Sequence, residues 1–231
     1  MRFLIKFSYD GTNYCGYQKQ PGLVTIEGKM EEALTKINNG KKTSITATGR
    51  TDKKVHALAQ YAHADIDVNI TENKLKRALN SNIPDDIHVI ETKIVEDNFH
   101  ARYNVKEKTY KYIINLGEYN PIERNYVFQY NYKLDIKAMR EGIKYFEGTH
   151  DFRAFVTDNK EKENCIRTIS LTNIEEKDNK LVITFKGDGF LRYQVRNMVG
   201  ILIKIGEKKI SPSKVKEILE SKDRTKAGKT A

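Results

Sequence analysis

The sequence predicts an α+β fold of two related halves, residues 1–103 and 104–231, each an antiparallel sheet with helices on one face. Three observations carry this prediction. Strand-type alternation and helix-type periodicity succeed one another in the order βαββαβ before Phe99. After Phe99 the series begins again. The 231 residues also suffice for two cores of roughly 100 residues each.

The elements follow in order. "RFLIKFSY" alternates as a strand. In "TIEGKMEEALTKINNG", Thr25 is a candidate N-cap, Ile26, Met30, Ala33, Leu34 and Ile37 form an apolar stripe, and Gly40 is a stop. Strand-like "SITATGR" and "QYAHADIDV" follow, then a helix "ENKLKRALN" after Thr71 and a strand "IHVIETKIV". In the second half "TYKYIINL" is a long strand. "EYNPIERNYVFQYNYKL" lacks periodicity and reads as a connecting loop with an irregular strand. A helix is expected from Asp135 to about Phe146. "RAFVTDNKEKENCIR" reads as a mobile polar loop, "RTISLTNIE" and "KLVITFKG" as a hairpin, and "FLRYQVRNMVGILIKIG" as a helix beginning near Phe190. In that helix Phe190, Leu191, Val195, Met198, Val199 and Leu202 make an apolar stripe, while Arg192 and Arg196 stand four apart on one face. With the uncovered sheet faces edge to edge, the halves would make one continuous, mainly antiparallel sheet crossed by a basic cleft.

Lys and Arg number 41 against 31 Asp and Glu, a net charge of +10, which suggests a polyanionic partner such as nucleic acid or an anionic surface. "MRFLIKFSYDG" is too short and too interrupted for a signal peptide, and no apolar run approaches the roughly 18–20 residues of a membrane helix. A soluble, cytoplasmic protein without a membrane partner is expected. Cys15 and Cys165 are far apart and form no CxxC, so neither a disulfide framework nor a thiolate zinc site is suggested, and buried thiols are expected. "AGKTA" lacks the upstream glycine of a phosphate-binding loop, that place being Asp223, and "GDGF" lacks the third glycine of a dinucleotide fingerprint. His56 and His63 bracket a strand without a third ligand at metal-like spacing, and read as structural histidines.

Asp52, in "GRTDKKVHA", stands beside Arg50, Lys53 and Lys54. From the residues alone it is a salt-bridged turn residue, a metal ligand or a nucleophile held ionised by its basic neighbours. Arg192 and Arg196 are equally open to two readings, as surface charges or as cleft residues holding a carboxylate or phosphate in bidentate fashion.

Five motifs together resemble the TruA-type tRNA pseudouridine synthases: "YDGTNYCGYQKQ", "GRTD" with "VHA", "NIPDDI", "FHARYNVKEKTYKYII" and "GFLRYQVRNMVG". Their order and spacing agree along nearly the whole chain. The resemblance implies two RRM-like (ferredoxin-like) halves meeting at an active-site cleft. It also implies a homodimer acting on the anticodon stem-loop of tRNA at positions 38, 39 and 40. The reaction it implies breaks the bond from ribose C1′ to uracil N1, turns the base and joins C1′ to C5; nothing is oxidised, so no cofactor and no metal is expected.

The resemblance also assigns residues. Asp52 matches the family's catalytic aspartate, a carboxylate already ionised at neutral pH and kept so by a nearby cation. Arg196, in "VRN", looks like that partner, and Tyr110, in "KTYKY", matches an aromatic that stacks on the target uracil. Arg50 matches the arginine that holds the displaced nucleotide. Lys53, Lys54, Arg102 and Arg192 complete the expected RNA-binding set.

Three departures stand out. Lys53-Lys54 replaces the usual Ala-Gly, putting lysine where glycine permits otherwise costly backbone geometry. Tyr17 replaces the usual Trp. Members normally continue past "TA" with a proline and a final strand, whereas this sequence stops at Ala231. Other readings are the same chemistry on ribosomal RNA, an RNA-binding module without catalysis, and a metal-dependent nuclease using Asp52, Asp65 and Asp67.

Overall fold

The computed structural model describes residues 1–156 and 164–231. The chain divides into two compact units, Met1–Val105 and Lys106–Ala231.

In the first unit the elements are β1 (Arg2–Tyr9), α1 (Ile26–Ile37), β2 (Thr46–Ala47), β3 (Ala57–Asp65), α2 (Glu72–Asn80), β4 (Ile87–Val95) and a single helical turn α3 (Ala101–Asn104). The sheet order is β2-β3-β1-β4, antiparallel throughout. Strict alternation on β1 sends Phe3, Ile5, Phe7 and Tyr9 into the core. There they meet Ile26, Met30, Ala33 and Leu34 of α1 and Leu75 and Leu79 of α2. Burying each large apolar side chain contributes about 1.5–3 kcal/mol, and this layer is what makes the unit stable. The Thr25 hydroxyl accepts the Gly28 N–H at 3.2 Å, so the expected cap starts α1. Arg2, opposite Asp65 in the β1–β3 ladder and opposite Val95 in the β1–β4 ladder, grips the Asp65 carboxylate with Nε and Nη2, both at 2.8 Å. Its Nη1 also donates to the Phe99 carbonyl at 2.8 Å, fixing the chain that leads into α3.

The second unit contains β5 (Lys108–Asn115), β6 (Phe128–Gln129), α4 (Ile136–Lys144), β7 (Gly148–Asp151), a 3-10 turn at Phe152–Phe155, β8 (Ile166–Lys177), β9 (Lys180–Gly187), α5 (Gln194–Gly206), α6 (Lys214–Ser221) and a 3-10 turn at Arg224–Ala227. Its sheet runs β6-β5-β9-β8-β7, and only β5–β6 is parallel among the described pairs. Asp135 caps α4 by accepting the Ala138 N–H at 3.0 Å. β8 and β9 form the expected hairpin, closed by Asp178 (φ 50°) and Asn179 (φ 59°), the two left-handed residues that a two-residue turn of matching twist requires.

The fold is α+β, as expected, with several differences. The described ladders form two sheets rather than one continuous sheet; one edge strand in each, β2 and β6, is only two residues long and too short to template a further partner. The residues of "SITATGR" beyond Ala47 leave the ladder for a loop. The last long helix starts at Gln194, not near Phe190, because Tyr193 adopts a left-handed conformation (φ 60°, ψ 0°). It is also buried nearly all round, not along one stripe, since α4 and the C-terminal segment cover it. Residues 157–163 of the expected polar loop lie outside the described residues, and its two ends belong to the 3-10 turn and β8. Cys165 is buried as expected, whereas Cys15 is only half-buried.

Candidate active site

In the first unit four of the expected site residues, Arg50, Asp52, Lys53 and Lys54, lie on the connection between β2 and β3. Asp52 is half-buried, between the exposed Arg50 and the exposed Lys53 and Lys54. The Val55 N–H donates to the Asp52 carbonyl at 3.2 Å, closing a tight turn. Within that turn Lys54 has φ 64°, in the left-handed region that costs a side-chain-bearing residue roughly 1–2 kcal/mol. The lysine thus keeps the geometry that glycine would adopt at that place. Arg50 directs Nη1 to the Gln18 side-chain oxygen at 2.9 Å and remains at the surface. Arg102 is exposed on α3, beside Tyr103, whose ring stacks on His100 at 4.3 Å.

Asp65 and Asp67 do not join Asp52 in a carboxylate cluster. Asp65 is held below its usual pKa by its hydrogen bonds to Arg2, and Asp67 by its bond to Lys41. Among the described residues no group of three metal-ligating side chains converges. His63 is buried, with Nδ1 accepting the Ala101 N–H at 3.1 Å, a structural role.

In the second unit Tyr110 lies on β5 opposite Phe185, so it shares the helix-covered face with Tyr112 and Ile114. It is therefore not on the uncovered sheet face where an RNA-binding sheet carries its aromatics. Its ring meets Phe190 edge-on at 5.0 Å. The left-handed Tyr193 breaks the helical spacing assumed for Arg192 and Arg196, yet brings both guanidinium carbons over its own ring, at 5.1 and 5.6 Å. Arg192 is exposed; Arg196 is half-buried and close enough to Tyr112 to oppose the upward push that burial exerts on that phenol. The Arg196 Nε–H donates to the Ala231 carbonyl at 2.8 Å, and the Ala231 N–H returns a bond to the Arg196 carbonyl at 3.2 Å.

Tyr110, Arg192 and Arg196 are therefore gathered around the start of α5, while Asp52, Arg50, Lys53 and Lys54 share one turn in the first unit. Sequence reasoning passed over Tyr193, whose ring carries both arginines, and took Phe190 only as core. The left-handed break that places both had no glycine or asparagine to announce it.

Half-buried carboxylate, surface arginine and lysines, and an aromatic flanked by guanidinium groups are the ingredients for handling a phosphodiester chain and a planar base. A family model described as tRNA pseudouridine synthase matches residues 5–104 and 143–231. The chain belongs to the tRNA pseudouridine synthase family. The tRNA pseudouridine synthase A of Streptococcus mutans is 42% identical over 234 residues, spanning 100% of this chain and 94% of that protein. That of Clostridium acetobutylicum is 44% identical over 226 residues (97% and 92%), and that of Pseudothermotoga lettingae 43% over 232 (100% and 94%). Membership places the chain among the enzymes that isomerise tRNA uridine to pseudouridine. Asp52 and Arg196 fall inside the two matched segments of the tRNA pseudouridine synthase model, and Tyr110 falls between them.

Proposed function

We propose that this synthase acts in the cytoplasm on the anticodon stem-loop of tRNA, at positions 38, 39 and 40, as a homodimer of chains whose two RRM-like halves border a basic cleft. Asp52 is the nucleophile or base. The observation that carries this reading is the seat of Asp52: a half-buried carboxylate on a closed turn, next to three exposed cations, inside a segment matched by the family model.

A uridine in a stem must leave the stack before any carboxylate reaches C1′, at a cost of a few kcal/mol. Arg50, exposed and with Nη1 on the Gln18 side-chain oxygen, is suited to fill the space the base vacates. The Tyr110 ring receives the base, with stacking of about 1–3 kcal/mol offsetting the extrusion. Asp52 then acts on the sugar or base while the N1–C1′ bond breaks and the C1′–C5 bond forms. Arg196 holds the carboxylate ionised once water is excluded, and Lys53, Lys54, Arg102 and Arg192 contact phosphates.

Asp52→Asn tests the assignment, since it keeps the size and removes the nucleophile. Tritium release from C5-labelled uridine in tRNA should vanish while tRNA binding persists. Release within about tenfold of wild type would remove Asp52 from the mechanism.

A further inference from the structure

We infer that Tyr9 and Thr51 form a hydroxyl clamp that positions the Asp52 turn; the inference rests on the reading of Asp52 as the catalytic group. Thr51 immediately precedes Asp52; its hydroxyl is engaged by the end of β1 and its carbonyl by the segment that follows. Its Oγ1 lies 2.8 Å from the Tyr9 hydroxyl, and its carbonyl accepts the Tyr17 N–H at 3.0 Å. Tyr9 is the last residue of the central strand β1 and only 4% exposed, its ring 6.0 Å from Phe7 and 6.5 Å from Tyr17. The hydroxyl is thus fixed by the core, not by the loop it holds.

Backbone approach on both sides of Asp52 has the same character. Gly16 (φ 96°) faces Thr51, where an added Cβ would come within 3.0 Å of the Thr51 carbonyl oxygen and 3.4 Å of the Asp52 carbonyl carbon. A Cβ on Gly11 would come within 2.1 Å of the Val55 carbonyl oxygen. Just beyond, His56 Nδ1 accepts the Gly11 N–H at 3.1 Å and sits 2.9 Å from Asp10 Oδ1. The turn is therefore bound to the strand end at residue 51 and to the segment after it at residue 56, and is closely approached at residue 55, with the catalytic carboxylate between. Surface turns ordinarily open at little free-energy cost, and a carboxylate displaced by about 1 Å can lose on the order of a hundredfold in rate. Tyr9 and Thr51 are positioning residues: they act through Asp52 and leave tRNA affinity to the basic groups.

The test measures single-turnover pseudouridine formation, KM for tRNA and melting temperature for Tyr9→Phe, Thr51→Val, Thr51→Ser and, in parallel, Asp52→Asn. Tyr9→Phe removes one oxygen from a buried ring and keeps its packing, so it decides the matter even where Thr51→Val does not fold. Expected are a fall in kcat of roughly tenfold to a hundredfold for Tyr9→Phe and Thr51→Val with KM within about twofold, and recovery of most of the rate in Thr51→Ser. Wild-type kcat in Tyr9→Phe beside an inactive Asp52→Asn overturns the clamp and leaves Asp52 in place. Thr51→Ser as slow as Thr51→Val also overturns it. An active Asp52→Asn overturns the catalytic reading, and the clamp with it.

Discussion

Arg196 and Ala231 bind one another reciprocally: the arginine Nε–H donates to the alanine carbonyl at 2.8 Å, and the alanine N–H donates to the arginine carbonyl at 3.2 Å. A guanidinium held by its Nε presents its remaining edge in a fixed direction, which a lysine ammonium on a flexible stem cannot do. Arg196→Lys is expected to fold with a circular-dichroism spectrum like that of wild type and to lose about tenfold or more in single-turnover rate. A wild-type rate in Arg196→Lys would show that charge alone suffices.

Gly200 lets the C-terminal segment reach Arg196. An added Cβ on this α5 residue would stand 2.3 Å from the Lys229 carbonyl oxygen. Alanine gains up to about 1 kcal/mol over glycine in helix propensity, but overpacking against backbone costs about 1–3 kcal/mol, so the collision wins. Gly200→Ala should lower the melting temperature and, by displacing Ala231 from Arg196, slow turnover as well. A raised melting temperature would mean that the segment moves aside at no cost.

Tyr110→Phe retains the edge contact with Phe190, whereas Tyr110→Ala removes the ring from both Phe190 and any stacked base. The expected pattern is normal tRNA binding with slow turnover for the phenylalanine variant, because a base turned in the pocket still has to lose its C5 proton. For the alanine variant both binding and melting temperature should fall. Filter binding and tritium release separate the two, and normal turnover in Tyr110→Phe would leave the hydroxyl without a part in proton transfer.

His63 gives the first unit a pH dependence. Burial, then the charges of Arg2 and His100, hold its pKa below the usual 6.5, and its Nδ1 must be unprotonated to accept the Ala101 N–H. The unfolded chain therefore takes up the proton first, so the contribution of His63 is complete above about pH 6.5 and is lost as pH falls through the lower folded value. The wild-type melting temperature should drop between about pH 7.5 and 5.5, and the His63→Gln variant should drop less over the same range. Parallel curves for the two proteins would contradict this.

Elements whose signals lie within a few residues were legible in the sequence. α1 begins at the Thr25 cap, α2 spans "ENKLKRALN" and β4 spans "IHVIETKIV", because caps and periodicity act locally. What was not legible depends on distance along the chain or on a rare backbone state. The Tyr9–Thr51 hydroxyl pair spans 42 residues and the Arg196–Ala231 bond 35, and neither leaves a local pattern. The parallel pairing of Phe128–Gln129 with Ile114–Asn115 gives a two-residue strand too short to alternate. Tyr193 shifted the start of α5 because a left-handed tyrosine has no compositional sign, and that one residue moved Arg192 off the helix face it had been given.

The ladders of β1 bear on the order in which the chain acquires structure. The strand that comes first in its unit lies in the middle of its sheet, with Arg2 opposite both Asp65 and Val95, so neither partner exists until most of the unit has been made. Loop-closure entropy must be overcome twice before that strand is held on both sides. The β8–β9 hairpin of the other unit has no such wait: Lys177 and Lys180 pair across a turn of two residues. Translation therefore delivers the slow-nucleating half before the half with a local nucleus, and a nascent chain on the ribosome carries Phe3, Ile5 and Phe7 without the whole of their cover until Leu75 and Leu79 of α2 have emerged.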